Sequence, residues 1–116
     1  MNSSQKWQIT VDIPPPDGGY LPDTQTVLLL ADIQRTGSIN RSAKEKRLSY
    51  ATAWRCLKEA EAGLGMRLLV PQKGGAGGGG TALTPQGRDF VRKYIEMLTE
   101  VKRLASECFA RYFPAE

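Results

Sequence analysis

Residues 38–58, SINRSAKEKRLSYATAWRCLK, decide the fold predicted for this chain. They contain two helical patterns, residues 39–47 and 50–58, and a serine directly precedes each of them. A serine hydroxyl at that place can accept a hydrogen bond from an otherwise unpaired backbone N–H at the helix start. The small side chain of Ala43 lets two helices cross closely at a steep angle. The stretch therefore predicts a helix-turn-helix.

The second of these helices has two faces with different chemistry. Trp54, Leu57 and Leu64 are spaced to form its buried face, so Trp54 is expected in the core. The opposite face carries polar and cationic side chains that can bind guanine, touch a thymine methyl or pair with phosphate. Tyr50 fits either a phosphate contact or packing at the helix start. With two outlying cations, the predicted DNA-contacting residues are Arg41, Ser49, Tyr50, Ala51, Thr52, Arg55, Lys58 and Lys73.

Positive charge is concentrated on the same stretch. The chain has 116 residues, enough for one domain, and a net charge of +4 at neutral pH. The net charge is −3 over residues 1–34, +5 over residues 35–67 and +2 over residues 68–116. The excess thus falls on the predicted helix-turn-helix, as a phosphate-binding surface requires. A solvated basic helix face would fit the charge alone equally well.

Neither a membrane protein nor an enzyme is indicated. The longest apolar run, residues 27–31, is far shorter than the ~18 residues of a membrane span. The N-terminus lacks a signal-peptide pattern, so a cytoplasmic location is expected. The chain has no histidine, and its acidic residues show no spacing typical of a catalytic pair, so no catalytic residue, metal site or cofactor is predicted. Cys56 and Cys108 are interpreted as small core residues.

A wing follows the helix-turn-helix. Residues 67–70 and 81–83 are predicted to pair as two short strands, and the glycine run at residues 74–80 joins them. This run contains the spacing GxGxxG, but no βαβ unit surrounds it, and Gly80 is not followed by the Lys-Ser or Lys-Thr of a P-loop. A mobile wing tip is therefore a better interpretation than a nucleotide site. Residues 7–13 alternate apolar and polar side chains, which predicts a further strand before the helix that begins near Asp23.

The C-terminal third predicts one long helix. Thr84 and Pro85 are a capping hydroxyl and a first-turn proline, and apolar residues continue to about Arg111, a length of about 40 Å. They cover two seams, which is more than a domain of this size can easily bury, so a second copy is expected to cover one of them. The alternative is packing wholly within the chain's own domain. The predicted dimerisation residues are Val91, Ile95, Leu98, Val101, Leu104, Ala105 and Cys108.

These residues resemble a known family. The matching residues are Gly37-Ser38-Ile39, Ala43, Leu48-Ser49-Tyr50, Ala53-Trp54, Leu69-Val70, the glycine run, Leu83-Thr84 and Gly87. Together they resemble the N-terminal winged-helix domain of ModE-type molybdate-responsive regulators, and the helix-turn-helix is similar to that of LysR-type regulators. The resemblance implies dimerisation through the long helices and a palindromic DNA operator. It places the molybdate site in separate C-terminal domains, which residues 24–112 do not resemble. Lys46 departs from the family, which usually has a small or apolar residue there.

The predicted architecture is a mainly α (α+β) winged helix-turn-helix. Residues 1–22 form an N-terminal strand and turn, residues 23–83 the winged helix-turn-helix, and residues 84–116 the dimerisation helix. We expect a homodimeric, sequence-specific transcription regulator that binds double-stranded DNA, with two recognition helices in major grooves about 34 Å apart. The main alternative is a protein-interaction or dimerisation adaptor with the same fold and no specific DNA target; an enzyme is the least favoured.

Overall fold

The computed structural model describes residues 14–73 and 80–115. Within these ranges the elements are α1 (Thr24–Thr36), α2 (Ile39–Glu45), α3 (Tyr50–Leu64), β1 (Leu69–Gln72), β2 (Gly80–Leu83) and α4 (Pro85–Tyr112). This confirms the predicted mainly α fold with a small antiparallel sheet, in which α2 and α3 form the helix-turn-helix. The predicted strand at residues 7–13 and the glycine-rich loop at residues 74–79 lie outside the described residues.

Side chains cap the start of all four helices. The capping residues, each of which accepts a hydrogen bond from the backbone N–H three residues later, are Asp23, Ser38, Ser49 and Thr84. Gly37 and Gly65 end α1 and α3 in the left-handed conformation, with φ of 72° and 67°. Glycine adopts that conformation without a steric penalty, so a glycine is well suited to end each of these helices.

The core lies where α1, α2, α3 and the base of the sheet meet. Its largest fully buried side chains are aliphatic, and they are Leu29, Leu30, Ile33, Leu57, Leu68 and Val27. Ala43, Ala53 and Ala60 are also buried, and their small side chains allow the helices to approach closely. This packing fixes α3 by its inner face and leaves its opposite face in solvent.

The two strands form a short antiparallel ribbon that is fastened to the helices at its base. Leu69 pairs with Leu83, and Gln72 pairs with Gly80. The backbone N–H of Thr81 donates to the carbonyl of Gly37 at 2.9 Å, which joins β2 to the end of α1. A Cβ at Gly80 would lie 2.6 Å from the same carbonyl oxygen, so the contact requires glycine. We call β1 and β2 the wing.

The first strand begins two residues later than the sequence predicts. Residues 67–70 are the predicted strand, whereas β1 is Leu69–Gln72. The reason lies in Glu61, whose carboxylate accepts the backbone N–H groups of Leu68 and Leu69 at 2.8 and 3.2 Å. These N–H groups are therefore satisfied by a side chain and not by a partner strand. Pro71 is tolerated within β1 because a two-stranded ribbon has an open edge.

Helix α4 packs on the core only through its first part. Its buried residues are Gly87, Val91 and Tyr94, and the Tyr94 hydroxyl lies 2.7 Å from the Thr24 hydroxyl of α1. Val91 is thus a core residue of its own domain, which corrects its assignment to the dimer surface. Cys108 is exposed, so it is not the core residue that the sequence predicts, and Cys56 is only half-buried. The later turns of α4 extend from the domain with their apolar side chains uncovered.

Lys46 is accommodated by an ion pair. Its ammonium lies 3.1 Å from the Asp32 carboxylate of α1, and both side chains are largely covered. Arg35 joins the same carboxylate to Glu45 at the end of α2. Lys46, the residue that differs from the resembled family, therefore links α2 to α1, because the Asp32 carboxylate on α1 compensates its charge.

Candidate nucleic-acid interface

Helix α3 presents its predicted contact residues opposite a small-residue inner face. Ala53, Leu57 and Ala60 are buried, so the residues half a turn away point into solvent. Ala51 and Arg55 lie near the centre of this outward side and are exposed. No acidic residue occurs in the first turn of α3, which leaves the positive end of the helix dipole uncompensated. The beginning of α3 is therefore suited to an anionic ligand.

Ser49 and Thr52 form a small hydroxyl network at the start of α3. The Ser49 Oγ accepts the backbone N–H of Thr52 at 3.0 Å and donates to the Thr52 Oγ1 at 2.9 Å. The Ser49 hydroxyl thus acts both as an acceptor and as a donor within the first turn of α3. The Thr52 hydroxyl keeps its own proton for another acceptor. Thr52 is half-buried, whereas Tyr50 is exposed.

Arg55 projects from the centre of the outward side. Its side chain is 60% exposed, and its guanidinium lies 3.2 Å from the Glu59 carboxylate one turn later. An exposed pair of this kind contributes little to stability, so it does not hold the guanidinium strongly. Arg55 is thus available for a stronger bidentate partner such as a guanine edge.

Trp54 is on the surface, which corrects the prediction that it lies in the core. The buried residues of α3 follow the spacing 53, 57 and 60, and this places Trp54 about 100° of helical rotation from Ala53. Its side chain is 43% exposed. The ammonium of Lys58 lies 4.5 Å from the centroid of its ring, in a cation–π contact. The sequence pattern predicted the wrong residue because Ala53 and Trp54 are adjacent, and a small shift in the helical register decides which of them is buried.

Lys58 is also held by Glu61. Its ammonium lies 3.1 Å from the Glu61 carboxylate, whose side chain is only 14% exposed. Burial opposes ionisation of that carboxyl, but the Leu68 N–H, the Lys58 ammonium and the Leu69 N–H outweigh burial and hold the pKa of Glu61 below its usual value. Glu61 therefore remains an anion that ties α3 to the wing.

The other predicted cations lie at the edges of the same surface. Arg41 is exposed on α2 and lies 3.6 Å from Glu45, and Lys73 is exposed directly after β1. Three further exposed cations flank the surface and form no ion pair with a described residue; they are Lys44, Arg47 and Arg67. Sequence reasoning did not select these three, because whether a cation is paired depends on contacts between elements. Their only signal was the local excess of positive charge.

The predicted dimer surface is separate from α3. Apart from Val91, its members are half-buried or exposed on α4, and they are Ile95, Leu98, Val101, Leu104, Ala105 and Cys108. Val101 and Leu104 are 52% and 50% exposed. Among residues 14–73 and 80–115, no group of His, Cys, Asp or Glu side chains could hold a metal ion. In the same part of the chain, no helix has the length and hydropathy needed to cross a membrane.

Comparison with protein families and curated relatives gives a consistent result. Residues 25–88 match the family described as bacterial regulatory helix-turn-helix protein, lysR family. The molybdenum transport protein ModE of Azotobacter vinelandii is 41% identical over 92 residues, which are 76% of this chain and 34% of that protein. The DNA-binding transcriptional dual regulator ModE of Escherichia coli strain K12 is 34% identical over 84 residues, which are 72% of this chain and 31% of that protein. The chain thus spans about a third of the length of these relatives.

Solved structures share the fold at low sequence identity. A DNA complex described as BenM_DBD/catB site 1 has a TM-score of 0.61 and 19% identity, over 78% of this chain and 91% of that one. An OxyR C206 mutant of Corynebacterium glutamicum has a TM-score of 0.60 and 18% identity, over 84% of this chain and 29% of that one. These matches show that this chain shares its fold with both proteins.

Proposed function

The chain belongs to the lysR family of bacterial regulatory helix-turn-helix proteins, which makes it a DNA-binding transcriptional regulator, and we propose that it acts as a homodimer on a two-fold symmetric site. In this proposal α3 is the recognition helix and lies in the major groove with its first turns towards the bases. The second copy places its own α3 one helical turn of DNA away, about 34 Å. The protein acts in the cytoplasm, where this DNA is present.

The observation that carries the proposal is the outward side of α3. Ala51 and Arg55 lie along its centre, the first turn has no carboxylate, and the helix start is capped but otherwise open. A helix in the major groove needs a protruding, cationic and uncovered surface of this kind. Arg55 is proposed to read a guanine, and the neighbouring Thr52 to donate to a base or a phosphate.

Cations away from α3 are proposed to position the protein on the backbone. Arg41 on α2 and Lys73 on the wing flank the recognition helix, and both are exposed. Contacts of these cations with phosphate add affinity for any sequence and do not select one. Tyr50 belongs to the same group, because its hydroxyl can donate to a phosphate at the start of the helix.

No catalytic step, cofactor or molybdate site is part of the proposal. The relatives are named for regulation and for molybdenum transport, and this chain aligns with about a third of their length. The candidate site described above contains cations, hydroxyls and aromatic rings on an open surface. Such a surface binds a polyanion well, but it provides no enclosed pocket for a small substrate.

The test compares Arg55→Ala with Arg103→Ala. Both arginines are exposed and each pairs with a glutamate four residues later, but Arg103 lies on α4. On an operator selected from a random DNA library, Arg55→Ala is expected to cost about 1–3 kcal/mol and to relax the preference at one base position. Arg103→Ala should change neither quantity. Equal losses on the operator and on random duplex would contradict base reading by Arg55.

Lys73→Ala provides the contrasting case. It should weaken binding to every duplex alike and reduce the slope of log affinity against log salt by about 0.9. The adaptor hypothesis draws its support from the uncovered apolar side chains of α4, which suit a protein partner. A dimer that shows no salt-dependent affinity for any duplex at low salt would favour the adaptor and reject the regulator.

A further inference from the structure

A groove with a volume of about 220 Å³ lies between α3 and the wing. Its walls come from α2, α3, the turn after α3 and both strands, so it is built by several elements. Ile39 and Leu69 line it and are each only 6% exposed. Trp54 of α3 stands on one wall and Pro71 of β1 on the other. The interior of the groove is therefore lined by apolar side chains.

Three residues of α3 face this groove at helical spacing. Tyr50, Trp54 and Lys58 follow one another at intervals of four residues, so they lie along one side of the helix towards the wing. This side is distinct from the outward side, because Arg55 is rotated by about 100° from Trp54. The helix thus presents an aromatic strip to the wing and a polar strip away from the core.

Cations border the apolar interior. Lys58 lies over the Trp54 ring at 4.5 Å, and Arg67 lines the groove where the chain leaves α3. Arg67 is exposed and forms no ion pair with any residue in ranges 14–73 and 80–115. Glu61 is directed towards Lys58 and the backbone N–H groups of Leu68 and Leu69, so its charge is already compensated. The groove therefore combines an apolar interior with net positive edges.

We propose that this groove holds the sugar–phosphate backbone of one strand of the bound duplex, with the deoxyribose against Trp54 and a phosphate against Arg67. The inference rests on the proposed function. The backbone alternates a largely apolar sugar with an anionic phosphate, which matches the alternation of surfaces in the groove. Arg55 reaches the bases from the outward side of α3. Trp54 lies on the side of α3 that faces the wing, where the backbone of one DNA strand is proposed to pass. Trp54 and Arg67 are thereby added to the DNA-binding residues.

Trp54 can be observed directly. The chain has two tryptophans, so Trp7→Phe leaves Trp54 as the only indole. In this variant, acrylamide should quench the fluorescence of Trp54 in the free protein and quench it less when saturating random-sequence duplex is present. The same titration repeated on a Trp7→Phe, Arg55→Ala protein should show the same protection, because backbone binding does not need the base contact. Unchanged access of acrylamide to Trp54 in the complex would overturn the proposal.

Affinity measurements separate the two halves of the groove. Trp54→Ala is expected to weaken binding about five- to tenfold on both random and operator duplex, and Trp54→Phe much less, because phenylalanine keeps an apolar ring. Arg67→Ala should lower the salt slope by about 0.9. Lys102→Ala is its matched control, since Lys102 is also exposed and forms no ion pair with a described residue, but it lies on α4. A Trp54→Ala loss confined to the operator would overturn the backbone assignment.

These experiments test the groove proposal separately from the proposal that the protein is a DNA-binding regulator. If the protein binds duplex with a steep salt dependence while Trp54→Ala and Arg67→Ala bind as the parent does, the groove proposal fails and the regulator proposal stands. If no duplex binds, both fail. Thermal unfolding should show that Trp54→Ala, Trp54→Phe and Arg67→Ala all remain folded at the temperature of the binding assay, since none of them replaces a fully buried side chain. Loss of binding by a folded variant is therefore attributable to the groove.

Discussion

Glu61 links three parts of the molecule through one carboxylate. It accepts the backbone N–H groups of Leu68 and Leu69, and it pairs with Lys58 on the recognition helix. Because a largely covered carboxylate with these donors favours its charged form, its pKa is lowered in the folded protein. A residue on the interior side of α3 thus controls both the position of the wing and the position of a predicted DNA contact.

The lowered pKa of Glu61 predicts the sign of a pH dependence. The unfolded chain binds a proton at the ordinary pKa of a glutamate, whereas the folded protein does so at lower pH, so folding is stabilised above the unfolded pKa. This contribution is lost as the pH falls through the folded pKa. Glu61→Gln should cost about 1–2 kcal/mol at neutral pH and weaken the acid-induced loss of stability. Urea unfolding between neutral pH and pH 3 measures both effects.

Glu59→Gln is the control for this prediction. Glu59 is on the same helix, but its carboxylate is 61% exposed and pairs only with Arg55 among the described residues. The substitution should leave the free energy of unfolding nearly unchanged. If Glu59→Gln and Glu61→Gln were equally destabilising, the hydrogen bonds of Glu61 to Leu68 and Leu69 would not be the cause.

At the residue scale the sequence predicts caps better than burial. Ser38 and Ser49 are found as caps because the signal is local: a hydroxyl and the N–H three residues later. The sequence predicts Trp54 in the core because a large apolar side chain is usually buried. Which face of α3 is buried becomes clear only from the packing of Ala53 in the core. The sequence does not show that Arg41 has an ion-pair partner and that Arg67 has none among the described residues, since ion pairs depend on the three-dimensional arrangement of the side chains.

At the scale of elements, the start of α4 lies close against the backbone of Leu68, the residue before β1. Gly87 lies in the first turn of α4, and a Cβ there would be 2.5 Å from the carbonyl oxygen of Leu68. The sequence associates this glycine with the resembled family, and the structure supplies the reason, which is the close approach of the helix to the backbone of Leu68. Since the obstacle is backbone, it cannot move aside as a flexible side chain could.

Gly87→Ala is therefore expected to destabilise the fold. Alanine favours a helix over glycine by about 1 kcal/mol, but the clash with the Leu68 carbonyl should exceed this gain and leave a net cost of about 1–3 kcal/mol. Gln86→Ala, at an exposed position in the same turn, is the control and should be neutral or slightly stabilising. Chemical denaturation measures the difference, and an increase in stability for Gly87→Ala would contradict the close approach.

Elements with strong local signals were predicted within one or two residues. Helices α1 and α4 begin near their predicted positions because the capping residues Asp23 and Thr84 mark them, and α4 ends at Tyr112, one residue after the predicted end. Strand β1 was predicted two residues early because the carboxylate of Glu61, a residue of another element, replaces a partner strand for Leu68 and Leu69. Such a substitution of one hydrogen-bond partner for another leaves no trace in the local pattern.

At the scale of the whole molecule, α4 is the element that the rest of the domain does not cover. Its last four turns carry apolar side chains in solvent, and the described chain extends over 57 × 38 × 22 Å. A sustained apolar strip of this kind is typical of an interface. The sequence predicts an apolar strip on this helix, and it places Val91 on the strip because helical spacing does not show where the core ends.

The proposed dimer predicts the effect of a charge on this strip. Leu104→Glu should convert the dimer to a monomer at micromolar concentration, since an unpaired carboxylate cannot be buried between two helices. Affinity for a two-fold symmetric operator should then fall about a hundredfold or more, because two half-sites are no longer bound together. Sedimentation analysis and operator titration measure the two effects.

Thr99→Glu is the control, because Thr99 lies on α4 among polar neighbours and is also exposed. It should remain dimeric and bind the operator as the parent does. Leu104→Glu should unfold at the parent's denaturant concentration once dimerisation is allowed for, since Leu104 is half exposed in the single chain. A Leu104→Glu protein that stays dimeric would place the interface elsewhere.

Only Thr84 separates β2 from α4, and its hydroxyl is bonded on both sides. It donates to the carbonyl of Arg67 at 2.6 Å and accepts the N–H of Gly87 at 2.9 Å. A joint fixed in this way does not act as a hinge. Two copies joined along α4 would therefore hold their recognition helices at a fixed separation. The protein, and not the DNA, would then determine the spacing between the two half-sites.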